Sequence, residues 1–167
     1  MTYCQYLREH PEDTLNKIYH DTEYGFPLVE DSALFERLVL EINQTGLSWI
    51  TILKKQSNFR IAYGGFDVDR VAAYADADTN RLLADAGIIR NRLKVKAAVE
   101  NARRIQGLRG EYISFKGWLD AHHPLQRRAR VQRAGRGLRF GLHEPGRSQN
   151  SGASVEWFLP LLPRSQE

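Results

Sequence analysis

Leu38-Val-Leu-Glu41-Ile-Asn-Gln-Thr-Gly-Leu-Ser-Trp49-Ile-Thr-Ile-Leu-Lys-Lys55 decides the reading of the fold. Its apolar residues recur at helical spacing, Gly46 interrupts them, and the recurrence resumes near Ser48. The run therefore predicts two helices joined by a tight turn. Asp31-Ser32 supplies an N-cap, so the first helix is expected over about 33–44. Leu34, Leu38, Glu41 and Thr45 follow steps of three or four, which places a carboxylate on the same stripe as two leucines. A buried, unpaired carboxylate is costly or takes up a proton, so Glu41 needs a partner, either protein or ligand. The indole of Trp49 follows across the Gly-Leu-Ser turn, close enough to wall the same cavity. An acid beside an aromatic wall suits a flat cationic guest. A glutamate paired with a neighbouring helix and a tryptophan in the core suit an ordinary bundle, and spacing alone leaves both readings open.

Working outward, the chain keeps to helical periods. A short helix is expected near Thr14–His20, then a turn at Tyr24-Gly25-Phe26-Pro27. Asn58-Phe-Arg-Ile-Ala-Tyr is closed by Gly64-Gly65, and short capped helices are read from Asp67 and from Asp78. From Ile89 to Ile105 a strong 3.6 period runs through Leu93, Ala97, Ala98, Ala102 and Ile105. Tyr112, Phe115, Trp118 and Leu119 form one more helix, ending at Asp120-Ala-His-His-Pro124. With no alternating strand, the expected fold class is all-α.

The 167 residues make one domain, or one domain with an appendage. No apolar run approaches the roughly 20 residues of a membrane span. The first residues carry no apolar signal core, and a single cysteine fits a reducing compartment, so a cytoplasmic protein with no membrane partner is expected. The net charge of +4 suits an anionic partner such as nucleic acid. That charge is uneven: residues 126–167 hold eight Arg, three Glu and no Lys, which leaves residues 1–125 slightly negative.

After Leu125 the composition changes abruptly. Gln126-Arg-Arg-Ala-Arg-Val-Gln-Arg-Ala-Gly-Arg-Gly has no helical period, and the last 42 residues lack Lys, Asp, Ile, Thr, Tyr, Cys and Met. We divide the chain into a helical domain over 1–125 and an irregular Arg/Gly/Ser/Pro-rich tail over 126–167. One reading of the tail is a basic segment that contacts phosphates. The reading we favour is a frameshift, because Arg-rich, Lys-free text is typical of a GC-rich gene read out of frame. If final helices are thereby missing, an uncovered core face predicts poor solubility.

Four blocks carry a resemblance: Cys4; Tyr19-His20-Asp21-Thr-Glu-Tyr24-Gly25-Phe-Pro27; Glu41 through Lys55; and Asp85-Ala-Gly-Ile-Ile-Arg-Asn-Arg-Leu-Lys94. In this order and spacing, over about residues 1–125, the chain resembles the DNA-3-methyladenine glycosylase I family of the helix-hairpin-helix glycosylase superfamily. The resemblance implies a helical glycosylase fold, incomplete at its C-terminal end. It implies base-excision repair, in which a monomer acting on alkylated double-stranded DNA flips 3-methyladenine into a pocket and hydrolyses its glycosidic bond. Glu41 matches the pocket acid, and Trp49 and Tyr19 match the aromatic walls. Tyr6 and Tyr24 stand where the family often has tryptophans. Gly46 and Leu47 match the turn that enters the duplex. A carboxylate accepts from the base's exocyclic amine and offsets its charge, while each aromatic face adds about 0.5–2 kcal/mol of cation–π attraction. No counterpart of the superfamily's catalytic aspartate is evident, so a water attack aided by the field of Glu41 is expected.

Three features depart from the family pattern. Cys4 and His20 match two ligands of a structural zinc held by two Cys and two His, but this chain has no second Cys, and its only tail histidine is His143. Ile42 and Asn43 replace a commoner Gly-Gln pair. The hairpin that grips a DNA phosphate falls in the unmatched tail, leaving Arg90, Arg92, Lys94 and Lys96 as orderly contacts. Two alternatives therefore accompany the enzyme: a catalytically impaired remnant of the same family, and a noncatalytic nucleic-acid-binding domain with a basic tail.

Overall fold

The computed structural model describes residues 3–122, and among these every regular element is helical. In chain order they are α1 (Tyr3–Glu9), α2 (Thr14–Thr22), α3 (Asp31–Gln44), α4 (Trp49–Leu53), α5 (Gln56–Ala62), a 3-10 turn (Gly64–Phe66), α6 (Val68–Ala72), α7 (Asp76–Ala84), α8 (Arg92–Tyr112) and α9 (Phe115–His122). The expected pair of helices around Gly46 is present as α3 and α4. The tail over 126–167, His123 and His143 lie outside the described residues.

Helix α3 is central because one of its faces is buried: Phe35, Val39 and Leu40 are essentially inaccessible to solvent. It packs on α8, α4, α6, α9 and the 3-10 turn. The rings of Phe59, Tyr63 and Phe66 stack in series, the last two at 5.5 Å between centroids. Burying side chains of this size contributes about 1.5–3 kcal/mol each, so the middle of the domain is firmly set. From α8, Val95, Ala98, Ala102 and Ile105 close the core.

The local chemistry differs from the sequence reading at several points. Asp31 is the first residue of α3 rather than its cap, and its two carboxylate oxygens accept from the backbone N–H groups of Phe115 and Lys116, each at 3.0 Å. It thus caps α9 across the fold, satisfying N–H groups that a helix start leaves unpaired. Leu93 is 78% exposed, not core. The inward stripe of α8 begins at Val95, and Leu93 lies in the first turn, outside that register. Tyr112 belongs to α8, not to the last helix, which starts at Phe115. Helix α1 has no counterpart in the reading. None of its residues is buried, so it lacks the apolar stripe that periodicity detects.

Candidate functional site

Helices α2, α3 and α4 meet at one end of the core, and three of the expected residues meet with them. Tyr19 on α2 is buried. Glu41 lies on α3, and Trp49 opens α4. The rings of Tyr19 and Trp49 are 5.4 Å apart, edge to face at 62°. Arg37, one helical turn before Glu41, sits over both rings, its Cζ 5.0 Å from the Tyr19 centroid and 5.6 Å from that of Trp49. Its Nη1 donates to the Tyr19 hydroxyl, and its Nη2 pairs with Glu23 at 3.3 Å.

No hydrogen bond reaches the Glu41 carboxyl among the described residues. Burial pushes its pKa up to about 7, against the opposing positive charge of Arg37. A carboxyl poised there is shared between its two protonation states at neutral pH and gains from any added cation or donor. Burial also raises the pKa of the Tyr19 hydroxyl, again opposed by Arg37. The indole Nε1 of Trp49 is the one buried side-chain polar atom without a partner among the described residues. Leaving a buried donor unpaired costs about 1–3 kcal/mol. The site thus combines an acid with no hydrogen bond, an orphan donor and two aromatic walls.

Tyr24 forms a second layer of this wall. It tilts against Tyr19 at 6.4 Å, stacks on His20 at 5.5 Å and meets the edge of Tyr3 at 5.0 Å. Tyr6 lies elsewhere: its hydroxyl donates to Asp13 at 3.1 Å and its ring rests on His10. The α1–α2 connection, not the walls, holds it.

At the turn between α3 and α4, Gly46 has φ +78, a left-handed conformation that a side chain would strain. The turn carries Leu47 outward, 37% exposed. Lys94 supports it from α8, its Nζ donating to the carbonyls of Asn43 at 2.8 Å and Thr45 at 2.7 Å. A cation there satisfies the last carbonyls of α3 and suits its negative end. Burial lowers the pKa of Lys94. Lys94 therefore braces the turn from inside, in place of the expected surface contact. Arg90, Arg92 and Lys96 are exposed as read. Asn43 is buried, and its Nδ2 donates to the carbonyl of Val39 within α3.

Cys4 and His20 come together, Sγ to Nε2 at 3.1 Å, while His20 Nδ1 bonds Asp21 at 2.9 Å. The orientation suits a metal ligand braced by a carboxylate. No group of three or more metal-binding side chains occurs among the described residues, and the sequence has one cysteine. The donor set does not fit a closed four-ligand zinc site.

Sequence reasoning passed over Arg37 and Glu23, and took Lys94 for a surface charge. Arg37 was detectable, lying four residues before Glu41 on the same helix face.

A family model described as methyladenine glycosylase matches residues 9–136, a span that begins after Cys4 and Tyr6 and passes Leu125. The chain is 49% identical over 92 residues to DNA-3-methyladenine glycosylase 1 of Escherichia coli, covering 55% of this chain and 49% of that protein. It is 38% identical over 107 residues to DNA-3-methyladenine glycosylase of Haemophilus influenzae, covering 63% and 58%. A solved structure of a 3-methyladenine DNA glycosylase I variant in complex with 3-methyladenine superposes with a TM-score of 0.64 at 34% identity, covering 66% of this chain and 60% of that one. The chain spans about half to three-fifths of the length of these relatives. Its helical fold, the order of its sequence blocks and the family match agree: the chain belongs to the methyladenine glycosylase family.

Proposed function

We propose that this protein is a base-excision DNA glycosylase that releases 3-methyladenine from alkylated double-stranded DNA, with the flipped base held against the Tyr19 and Trp49 walls and facing Glu41. The observation that carries this reading is the Glu41 carboxyl, which lacks a hydrogen bond among the described residues, has its pKa raised to about 7, and acts by its charge on Tyr19, whose ring meets that of Trp49. Ionised, it accepts from the exocyclic amine of the base and offsets the positive charge of the N3-alkylated nucleotide. Neutral adenine brings no such charge, so desolvating Glu41 for it goes uncompensated. The alkylated base is already a good leaving group. The field of Glu41 then stabilises the positive charge developing on the sugar as water attacks. Leu47, exposed on its left-handed turn, is the residue to fill the space of the flipped nucleotide, and Arg90, Arg92 and Lys96 are candidates to meet phosphates. The reading includes a monomer working in the cytoplasm. No helix among the described residues is long and apolar enough to cross a membrane.

Release of 3-methyladenine from methylated duplex DNA tests this. The chain should excise the base and Glu41→Gln should not; equal release by both would remove Glu41 from the reaction. A second reading, an impaired remnant, is favoured by the chain's coverage of only about half of its Escherichia coli relative and by the Arg-rich composition of residues 126–167. A frame-restored version that excises much faster than this chain would establish it, and equal rates would discard it.

A further inference from the structure

Arg37 is a charged group at this site that the proposed reaction does not use. Its Cζ and the two ring centroids form a near-equilateral triangle with sides of 5.0, 5.6 and 5.4 Å. The guanidinium is flat and cationic, donates to the Tyr19 hydroxyl and faces Glu41 across one turn of α3. It brings the flat shape and positive charge wanted of a guest, but it gives its hydrogen bonds to Tyr19 and Glu23 and not to Glu41. A purine laid against these rings and this guanidinium over them cannot occupy the same place.

We propose that Arg37 is a resident plug of the base site: in the free protein its guanidinium covers the Tyr19 and Trp49 rings, and a flat base binds against them only by displacing it towards Glu23. The inference rests on the base-binding reading above. Glu23 is a fixed anchor for the displaced group, because its two carboxylate oxygens accept from Gln56 Nε2, each at 3.2 Å, and one lies 3.7 Å from Arg60. Arg37 already touches Glu23, so displacement is a side-chain rotation about a retained contact.

A plug leaves a particular signature. Since Arg37 has left the rings in every complex, it weakens all flat guests by one common factor, charged or neutral. A guanidinium that stayed in place would act by repulsion and penalise the cationic guest alone. Calorimetric titration of the full 167-residue chain and of Arg37→Met separates these cases. The probes are 3,9-dimethyladeninium, a permanent cation, and 9-methyladenine, its neutral counterpart. Arg37→Met should bind both probes tighter by the same factor, about tenfold for the loss of two cation–π contacts and a hydrogen bond. A gain for the cation alone, or no gain, overturns the plug while leaving base binding intact. No binding of either probe by either protein overturns base binding and the plug with it. A measurement on the unmutated chain guards against a misfolded variant. The Nε–H signal of Arg37, assigned with Arg37→Lys, should shift when 9-methyladenine is added; an unmoved signal under saturation overturns the proposal.

Discussion

The two faces of α3 show how one helix serves both fold and function. On one face Phe35, Val39 and Leu40 are sealed in the core. On the other, Arg37 lies over Tyr19 and Trp49 and Glu41 acts on Tyr19, and among the described residues a carboxyl lacks a hydrogen bond and an indole N–H lacks a partner. The first face is satisfied by the chain itself. The second is left short of partners, and a guest of suitable charge and shape would relieve it. Stability and binding are therefore expected to respond in opposite ways to substitutions on the two faces.

The largest effect should come from the sealed face. Phe35→Ala leaves a cavity beside Phe66 and should lower unfolding stability by about 3–5 kcal/mol, read by denaturant titration. On the open face the sign reverses. The folded-state pKa of Glu41, about 7, lies above the ordinary carboxyl value of 4.5, so the folded protein holds this proton more tightly than the unfolded chain. Stability from this group is complete below about pH 4.5 and is lost as pH rises towards 7. Glu41→Gln removes that loss. It should leave stability near pH 4 unchanged and raise it at pH 8 by about 1–3 kcal/mol, while weakening cationic base binding at least about tenfold. Parallel denaturant curves at the two pH values would show the effect, and a destabilised variant at pH 8 would contradict it.

A smaller effect is expected at Lys94. Lys94→Met strips the donor from the Asn43 and Thr45 carbonyls, costs about 1–2 kcal/mol and loosens the Gly46–Leu47 turn. Excision from duplex DNA should fall more than affinity for the free base, because flipping depends on the turn and stacking does not. Least of all should change with metal. With Cys4 and His20 as the paired donors among the described residues, a chelator should leave the thermal midpoint within a degree or two, and purified protein should hold well under one zinc per chain.

The contrast between the faces was partly legible in the sequence. The stripe that brings Glu41 beside apolar residues, the Gly46 break and the Trp49 restart are periodic signals, and the fold reproduces them. Asp31 was misread because a capping aspartate looks the same in sequence whether it serves its own helix or α9, 84 positions away. Lys94 was misread because a lysine on a helix start looks solvated until another helix end is packed against it. Arg37 carried a spacing signal to Glu41, but its seat on two rings depends on α2 and α4, which the spacing of α3 does not encode. Tyr6 was assigned by resemblance, and its bond to Asp13 is a local matter of the α1–α2 connection.

The central claim is that Glu41, without a hydrogen bond among the described residues, waits for a cationic guest. Its carboxyl can be followed directly by carbon NMR through a pH titration, with and without saturating 3,9-dimethyladeninium. The account predicts titration near pH 7 in the free protein and a fall of at least about one unit when the cation binds. An ordinary carboxyl titration in the free protein, or a midpoint that the bound cation does not move, would contradict it.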